Sequence, residues 1–322
     1  MPPETAIDPS TDPVTGEHGR ARLGGVATTL RLEGLTKRFD SAVVVDNLTA
    51  TVHPGRVTGF LGPNGAGKTT TLRMLLGLVR PTSGSATFDG QRYDELVDPT
   101  REVGALLEAT GFHPGRKARD HLRVLTTAAG LPADRSDEVL ALVGLTEAAD
   151  RKVGAFSLGM RQRLGLAAAL LGDPPVLVLD EPANGLDPQG IRWLRSFLRG
   201  LAEQGRTVLV SSHVLPEVEQ TADDVLVLAH GRLLRSGTLA DLQSEAGGGT
   251  AVRTPDSERL LAALTEAGLP GRSLGPQELL VGASSAAVGE LAAAHGVVLH
   301  RLAETAGGLE DVFLSLTGEG GP

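Results

Sequence analysis

A glycine-rich segment at residues 62–69 carries the residue types that bind phosphate groups. Its sequence, Gly-Pro-Asn-Gly-Ala-Gly-Lys-Thr, matches the pattern G-x-x-x-x-G-K-[ST] in full. Glycines let successive backbone N–H groups point at phosphate oxygens, the lysine reaches the outer phosphates, and the Ser or Thr hydroxyl holds Mg²⁺. The pattern predicts a nucleotide site in which Lys68 contacts the β- and γ-phosphates and Thr69 binds Mg²⁺. The residues expected to line this site are Gly62, Asn64, Gly65, Ala66, Gly67, Lys68, Thr69 and Thr70.

Two adjacent acids provide the second part of the predicted chemistry. Asp180 and Glu181 directly follow the apolar run Val176–Leu179. Such a run predicts a buried strand, and open α/β sheets bind ligands at the carboxyl ends of their strands. Asp180 is therefore expected to hold Mg²⁺, and Glu181 to orient and deprotonate an attacking water.

The elements that must position these residues can be read from apolar runs. A strand at Val57–Leu61 precedes the glycine-rich segment, and a helical run at Thr70–Leu78 follows it. Short apolar runs separated by helix-length stretches favour a mostly parallel α/β core. The other strands expected in that core are Val176–Leu179, Thr207–Val210 and Val225–Leu228.

The chain divides by composition into three parts. Residues 1–28 are rich in Pro and polar residues and favour a disordered leader. Residues 29–243 form the expected nucleotide-binding domain, which begins with β-rich sequence and has a helical insert at about 102–171. Residues 250–322 are expected to form a small α/β accessory domain. Its expected elements are helices at Asp256–Ala267 and Ala286–Ala294 and strands at Glu278–Val281 and Val297–Leu302.

Composition excludes several other classes of protein. The 322 residues carry a net charge of −9, so no nucleic-acid partner is expected. They contain no cysteine, which excludes disulfides, thiolate nucleophiles and cysteine-ligated metals. The sequence shows neither a signal peptide nor an apolar run long enough to span a membrane, so a cytoplasmic chain is expected.

Further motifs resemble those of the ATP-binding subunits of ATP-binding cassette (ABC) transporters. Residues 156–163, Phe-Ser-Leu-Gly-Met-Arg-Gln-Arg, stand where that family has its signature sequence, with Ser157 placed 23 residues before Asp180. Residues 184–187 resemble the D-loop, and residues 211–213, which end in His213, resemble the switch-histidine motif. Phe39 lies 23 residues before Gly62, where the family places a ring against adenine.

The resemblance covers roughly Leu30 to Asp241 and implies a P-loop ABC ATPase fold with an N-terminal β-rich part and a helical subdomain. The small C-terminal α/β domain follows from the sequence pattern alone. The resemblance also implies a head-to-tail homodimer in which Ser157 and Gly159 contact the γ-phosphate held by Lys68 of the other copy. His213 would hold the γ-phosphate and Glu181 in register, and Asp187 would link the two sites. The expected cofactors are ATP and Mg²⁺. The expected partner is a multi-span permease that holds the chain at the cytoplasmic face of the cell membrane.

Two departures from the family consensus narrow the resemblance. Leu158 stands where glycine is usual, and Glu108 stands where most members have a glutamine that senses the γ-phosphate and touches Mg²⁺. Both departures resemble drug and antimicrobial-peptide exporters of the bacitracin- and lantibiotic-immunity type. The resemblance therefore favours export of a drug, antibiotic or antimicrobial peptide, with Glu108 as a further candidate Mg²⁺ ligand.

Three other functions remain open at this stage. The chain could serve another substrate, such as a lipid or an ion. It could also be an ABC-type ATPase without a membrane partner, acting on nucleic acid or ribosomes. That class is disfavoured by the short spacing from Lys68 to Asp180 and by the single phosphate loop. A degenerate, regulatory subunit is disfavoured because Glu181 and His213 are the residue types that hydrolysis needs.

Overall fold

The computed structural model describes residues 27–107, 111–245 and 249–305, together with residues 309, 310 and 313. The leader expected at residues 1–28 lies outside the described residues except for its last two positions, and Glu108 lies outside them as well. The chain divides into two compact units between Ser236 and Gly237.

The first unit contains nine strands and seven α-helices within the described residues. The strands are β1 (Leu30–Phe39), β2 (Ala42–Val52), β3 (Val57–Leu61), β4 (Ser83–Phe88), β5 (Val103–Leu106), β6 (Val176–Asp180), β7 (Thr207–Ser212), β8 (Asp224–Ala229) and β9 (Arg232–Thr238), which ends just past the boundary. The helices are α1 (Lys68–Leu75), α2 (Pro99–Glu102), α3 (Ala118–Ala128), α4 (Arg135–Leu142), α5 (Leu158–Ala169), α6 (Pro188–Glu203) and α7 (Leu215–Thr221).

A six-stranded sheet in the order β5-β6-β7-β3-β8-β9 forms the centre of this unit. Strands β5, β6, β7, β3 and β8 pair in parallel, and every residue of β3 and β6 is buried. Strands covered on both faces need continuous apolar runs, which explains their sequences. The register pairs Leu61 with Ser212 and Asp180 with Ser211, so the ends of β3, β6 and β7 meet at one edge.

A second sheet, in the order β2-β1-β4, is antiparallel. Alternation along β1 buries Leu30 and Leu32 and leaves Arg31 and Glu33 less buried, as expected for a strand with one face on the core. The buried residues of this sheet share a hydrophobic cluster with Phe60 of β3 and with α1. This is the β-rich part that the sequence predicts before the phosphate segment.

The helical segment contains α3, α4 and α5, but the expectation that strands are absent from about residue 102 was wrong at its start. Residues 103–106 form β5, the edge strand of the parallel sheet, where Val103 pairs with Val176 of β6. Glycine is uncommon in strands, so Gly104 weakens the sequence signal for β5. The packing nevertheless requires a glycine at this position. A Cβ added there would lie 2.1 Å from the carbonyl oxygen of Ala169, at the end of α5.

The second unit has a β-α-β-β-α-β order after a short helix. Its elements are α8 (Leu239–Glu245), β10 (Gly249–Arg253), α9 (Ser257–Glu266), β11 (Gly271–Gly275), β12 (Glu278–Val281), α10 (Ser285–Ala294) and β13 (Arg301–Thr305). The strands form an antiparallel sheet in the order β11-β12-β10-β13, the split arrangement of ferredoxin-like domains. Apolar residues of α9, α10 and the sheet form one core, which includes Leu260, Leu279 and Val288.

The last strand of this unit lies later than the sequence suggests. The strand expected at Val297–Leu302 is present but its bounds were wrong, because pairing with β10 begins only at Arg301 and β13 continues to Thr305. Val297 is buried in the core of the unit but lies outside the sheet. No helix in the described part of the chain is long and apolar enough to cross a membrane.

Candidate nucleotide site

The phosphate segment is a turn between β3 and α1, as the sequence predicts. Gly65 and Gly67 have positive φ values of 81° and 101°, which side chains rarely tolerate. At Gly67 an added Cβ would also lie 2.7 Å from the carbonyl oxygen of Val44. The glycines therefore allow the tight path that brings the backbone to the N-terminus of α1, where helix N–H groups favour anions.

Lys68 is the first residue of α1, and its side chain contacts the backbone of this turn. Its side chain is only 6 % exposed, and Nζ donates hydrogen bonds to the carbonyl oxygens of Gly62 at 2.6 Å and Pro63 at 3.3 Å. The same Nζ lies 3.6 Å from Oε1 of Glu181. These contacts hold the buried ammonium group beside the phosphate segment.

Thr69 and Asp180 meet beside the lysine. The Thr69 hydroxyl donates a hydrogen bond to Oδ2 of Asp180 at 2.7 Å, and the Ser211 hydroxyl donates one to Oδ1. Asp180 is 6 % exposed. A hydroxyl and a carboxylate side by side are the oxygen donors that Mg²⁺ prefers, so the residues present fit this ion.

Glu181 has an unusual backbone that its neighbours hold in place. Its φ is +49°, in the left-handed region, which is strained for a residue with a side chain. Its N–H points at Ser211, lying 3.0 Å from Oγ and 3.2 Å from the carbonyl oxygen. Its Oε2 lies 2.8 Å from Nδ1 of His213. The carboxylate is thus oriented between Lys68 and His213.

The ring of Phe39 lies at the end of β1 and is 44 % exposed. Nζ of Lys37 lies 4.7 Å from the ring centroid. Phe39 pairs with Ala42 at the start of β2, the strand whose Val44 approaches Gly67. An exposed aromatic ring is thus carried on the hairpin that passes the phosphate turn.

The remaining predicted site residues form a second cluster. Ser157 caps α5 by accepting a hydrogen bond from the N–H of Met160 at 3.2 Å, and Asp187 caps α6 by accepting one from Gly190 at 2.6 Å. Gly159 lies in the first turn of α5. Within the part of the chain that the structure describes, no hydrogen bond joins these residues to Lys68, Thr69, Asp180, Glu181 or His213. Glu108 is outside the described residues, so its metal-binding role stays a prediction.

Sequence reasoning missed two polar residues at this site. Ser211 had been noted within a motif without a role, although it bonds both acids. Glu217, on α7, accepts a hydrogen bond from the Ser212 hydroxyl at 3.4 Å. Burial raises the pKa of Glu217, the Ser212 bond lowers it, and nearby Glu181 raises it again. A hydroxyl near the end of a strand, as at Ser211, and an acid in the helix that follows, as at Glu217, are too common to have identified either residue.

A pH-dependent difference in stability is expected for Glu217→Gln. A raised pKa in the folded state means that the native protein binds a proton more tightly than the unfolded chain does. The stability contributed by protonated Glu217 is therefore lost as pH rises through the raised pKa. In a pH series that starts below 4.5, the ordinary pKa of glutamate, the glutamine variant should therefore gain melting temperature relative to the parent as pH rises.

Thermal unfolding of both proteins across this pH series measures the effect. Glu203→Gln, an exposed change at the end of α6, is the control and should show no pH-dependent difference from the parent. A constant difference between Glu217→Gln and the parent at every pH would contradict the expected linkage.

Fold and site together define a P-loop nucleotide-binding ATPase. A family model described as "ABC transporter" matches residues 45–184, and one described as "Domain of unknown function (DUF8746)" matches residues 248–310. A curated relative from Bacillus subtilis (strain 168), "Uncharacterized ABC transporter ATP-binding protein YhcH", is 37 % identical over 295 residues, 91 % of this chain and 97 % of the relative.

Two further comparisons agree with this assignment. "Bacitracin transport ATP-binding protein BcrA" of Enterococcus faecalis is 35 % identical over 300 residues, 91 % of this chain and 97 % of the relative. A solved structure, "Structure of ATP binding subunit of ABC transporter", is 29 % identical with a TM-score of 0.61, over 67 % of this chain and 92 % of that chain. The chain belongs to the ABC transporter ATP-binding proteins: it binds and hydrolyses ATP as the ATPase subunit of a transporter.

Proposed function

We propose that the chain powers export of an antibiotic or antimicrobial peptide as a homodimer docked on a multi-span permease at the cytoplasmic face of the cell membrane. The observation that carries the catalytic part is the position of Glu181 between Lys68 at 3.6 Å and His213 at 2.8 Å. This arrangement places a general base beside a phosphate-binding lysine and a residue that orients the base.

In the proposed reaction, Lys68 turns from the carbonyl oxygens of Gly62 and Pro63 toward the β- and γ-phosphates of ATP. Glu181 accepts the proton of the attacking water, and the new P–O bond forms as the bond to the ADP oxygen breaks. His213 keeps the carboxylate of Glu181 aimed at that water and contacts the γ-phosphate. The products are ADP and inorganic phosphate.

Thr69 and Asp180 are proposed to hold Mg²⁺, with Glu108 as a further ligand. When bound, the ion neutralises negative charge on the phosphates. The adjacent hydroxyl and carboxylate oxygens support this role, and Ser211 keeps Asp180 in the required orientation.

A second copy of the chain is proposed to complete each site. ABC ATP-binding subunits form dimers. In the head-to-tail arrangement, Ser157 and the backbone at Gly159 contact the γ-phosphate held by the other copy, and Asp187 links the two sites. Phe39 stacks on adenine at the site of its own chain. Its exposed ring, on the hairpin beside the phosphate turn, supports that assignment.

The proposed substrate class rests on similarity to the bacitracin transport protein. That similarity covers 91 % of this chain and therefore continues past the ABC transporter match at residues 45–184. Leu158 and Glu108, where the consensus has other residues, are the departures that the sequence shares with the exporter subgroup. The proposal also includes the domain division expected from the sequence: a leader at residues 1–28, the ATPase domain at 29–243 and the accessory domain at 250–322.

Docking on the permease is proposed near residues 108–121 and 150–153. Two of the basic residues there are already in ion pairs, because Lys117 pairs with Asp150 and Arg119 pairs with Asp137. Long-range charge attraction from these two residues is therefore reduced. A neighbouring groove of about 480 Å³ is lined mainly by apolar side chains, and it is proposed to contribute more to binding of the permease. Its lining includes Leu76, Leu78, Tyr93, Ala105 and Leu107.

A pull-down tests the proposal directly. Tagged Glu181→Gln protein is incubated with solubilised native membranes and ATP, and the proteins that co-purify are identified. We expect a multi-span membrane protein of about six helices, recovered with ATP and lost when Leu78→Asp places a charge in the apolar groove. Glu203→Gln in place of Glu181→Gln is the matched control for ATP trapping.

Two other results would contradict the transporter assignment. Recovery of ribosomes or nucleic acid without a membrane protein would move the chain to the class without a membrane partner. Recovery of the chain alone, from a solubilised preparation shown to contain the membrane proteins, would contradict docking on a permease.

A further inference from the structure

The signature segment (residues 156–163) and the D-loop segment (residues 184–187) of one chain lie against each other. Gly185 has a φ of +75°, and a Cβ added there would lie 1.9 Å from Cδ2 of Leu158. The Leu158 side chain therefore packs directly on the D-loop backbone. A Cβ added at Gly159 would lie 3.2 Å from Cδ2 of Leu186. Each segment thus inserts a leucine against a glycine of the other.

A buried amide adds a polar contact to this packing. Gln162, on α5, is only 6 % exposed, and its Nε2 donates a hydrogen bond to the carbonyl oxygen of Asn184 at 3.2 Å. Its Oε1 is buried without a hydrogen-bond partner among the described residues. Burying an amide with one oxygen unpaired is unfavourable, so nothing in core packing alone explains a polar residue here.

The helices behind the two segments are also joined. The guanidinium of Arg163 lies 4.0 Å from the ring centroid of Trp193 on α6, and Trp193 stacks on Phe197 at 5.1 Å. Nη1 of Arg163 donates a hydrogen bond to the carbonyl oxygen of Val143. A cation held on an aromatic face in this way resists separation of α5 from α6.

We propose that Leu158 and Gln162 are positioning residues that hold the signature and D-loop segments together as one unit, which we call the latch. This inference rests on the proposed head-to-tail dimer, in which both segments approach the ATP held by the other copy. Both residues are proposed to act through the placement of these segments and not as ligands of that ATP. The latch fixes the two segments before the second copy arrives, so less order has to be gained when the dimer closes.

The latch gives the leucine at position 158 a role. In the family consensus a glycine stands there, and a glycine has no side chain to pack on Gly185. The leucine is 43 % exposed, more than an ordinary core position would allow. The contact of Leu158 with the D-loop backbone therefore explains why an apolar side chain stands at this position.

Two variants test the latch. Gln162→Met keeps the volume of the side chain and removes the hydrogen bond to Asn184, whereas Leu158→Ala removes the packing on Gly185. The matched controls are Gln204→Met, at the exposed end of α6, and Leu142→Ala, a leucine of α4 that is 40 % exposed. Leu158→Met, which restores packing, is the rescue variant. All variants are made in the full chain and in the Glu181→Gln background.

Three quantities are measured for each protein. A fluorescent ATP analogue gives nucleotide affinity at protein concentrations where the chain is monomeric, phosphate release gives kcat, and light scattering gives the ATP concentration that half-dimerises the Glu181→Gln chains. We expect affinity to change by less than about twofold, because the phosphate turn belongs to another cluster. We expect kcat to fall by about tenfold and dimerisation to need more ATP, because the segments are misplaced.

The possible results separate the inference from the proposed function. If the Glu181→Gln parent does not dimerise with ATP, the proposed dimer is wrong. If the parent dimerises and both latch variants match their controls, the latch alone is wrong. Loss of nucleotide affinity together with melting temperature would indicate a purely structural role and also overturn the latch. If Gln162→Met unfolds, Leu158→Ala decides, because its half-exposed side chain can be truncated without opening the core.

Discussion

Glu181→Gln is expected to bind ATP, to form an ATP-dependent dimer and to hydrolyse ATP at least about 100-fold more slowly than the parent. The amide keeps the size of the carboxylate and can still bond His213, which lies 2.8 Å from Oε2. It cannot accept the proton of the attacking water. Binding and turnover are therefore expected to separate in this variant.

Phosphate release and size-exclusion light scattering, with and without ATP, measure both effects on the same sample. Glu203→Gln, an exposed change of the same chemistry on α6, should turn over like the parent. Undiminished hydrolysis in Glu181→Gln would show that another group removes the proton, and the catalytic assignment would then fail.

Lys68→Met is expected to weaken ATP binding by about 100-fold, the effect of removing one partner from a buried, hydrogen-bonded charge contact. Methionine matches the length of the lysine stem but has no ammonium group for the β- and γ-phosphates. Since the γ-phosphate is present only in ATP, the loss should be larger for ATP than for ADP.

Titration calorimetry with both nucleotides measures this difference. Arg31→Met removes a charge from the exposed face of β1 and should leave both affinities unchanged. The melting temperature without nucleotide shows whether the phosphate turn survives loss of the bonds to Gly62 and Pro63. An ATP affinity equal to that of the parent would contradict the proposed role of Lys68.

Much of the parallel sheet could be predicted from the sequence because its strands are buried on both faces. Val57–Leu61 forms β3 with the predicted bounds, and Val176–Leu179 lies within β6, which ends at Asp180. Once these strands are placed in parallel, their carboxyl ends must meet. The proximity of Lys68, Asp180 and Glu181 therefore followed from the pattern together with the geometry of parallel sheets.

Strands with weak local signals were missed or misplaced. β5 contains Gly104, and its identity as a strand depends on pairing with β6. β11 runs from Gly271 to Gly275, where glycines and an exposed pattern hide its pairing with β12. Val297 and the residues after it are apolar enough to suggest a strand, yet only Arg301 onward pairs with β10. Tertiary pairing decides these cases, and local sequence does not report it.

The sequence did not indicate which residues far apart along the chain are in contact at the site. The Leu158 contact with Gly185 joins residues 27 positions apart, one at the start of α5 and one in the D-loop segment, and no periodic pattern links them. The resemblance predicted that His213 would act with Glu181, and their 2.8 Å separation agrees with that expectation. The roles of these residues in hydrolysis remain predictions for the variants described above.

One hydroxyl group ties the two acids of the site to a single strand. Ser211 of β7 donates to the carboxylate of Asp180 and accepts from the N–H of Glu181, while His213 follows two residues later. A displacement of β7 is therefore expected to move Asp180, Glu181 and His213 together. Strand β7 thus positions one half of the site, which consists of Asp180, Glu181 and His213. The other half, the phosphate turn, lies between β3 and α1. The contacts of Thr69 with Asp180 and of Lys68 with Glu181 join these two halves of the site.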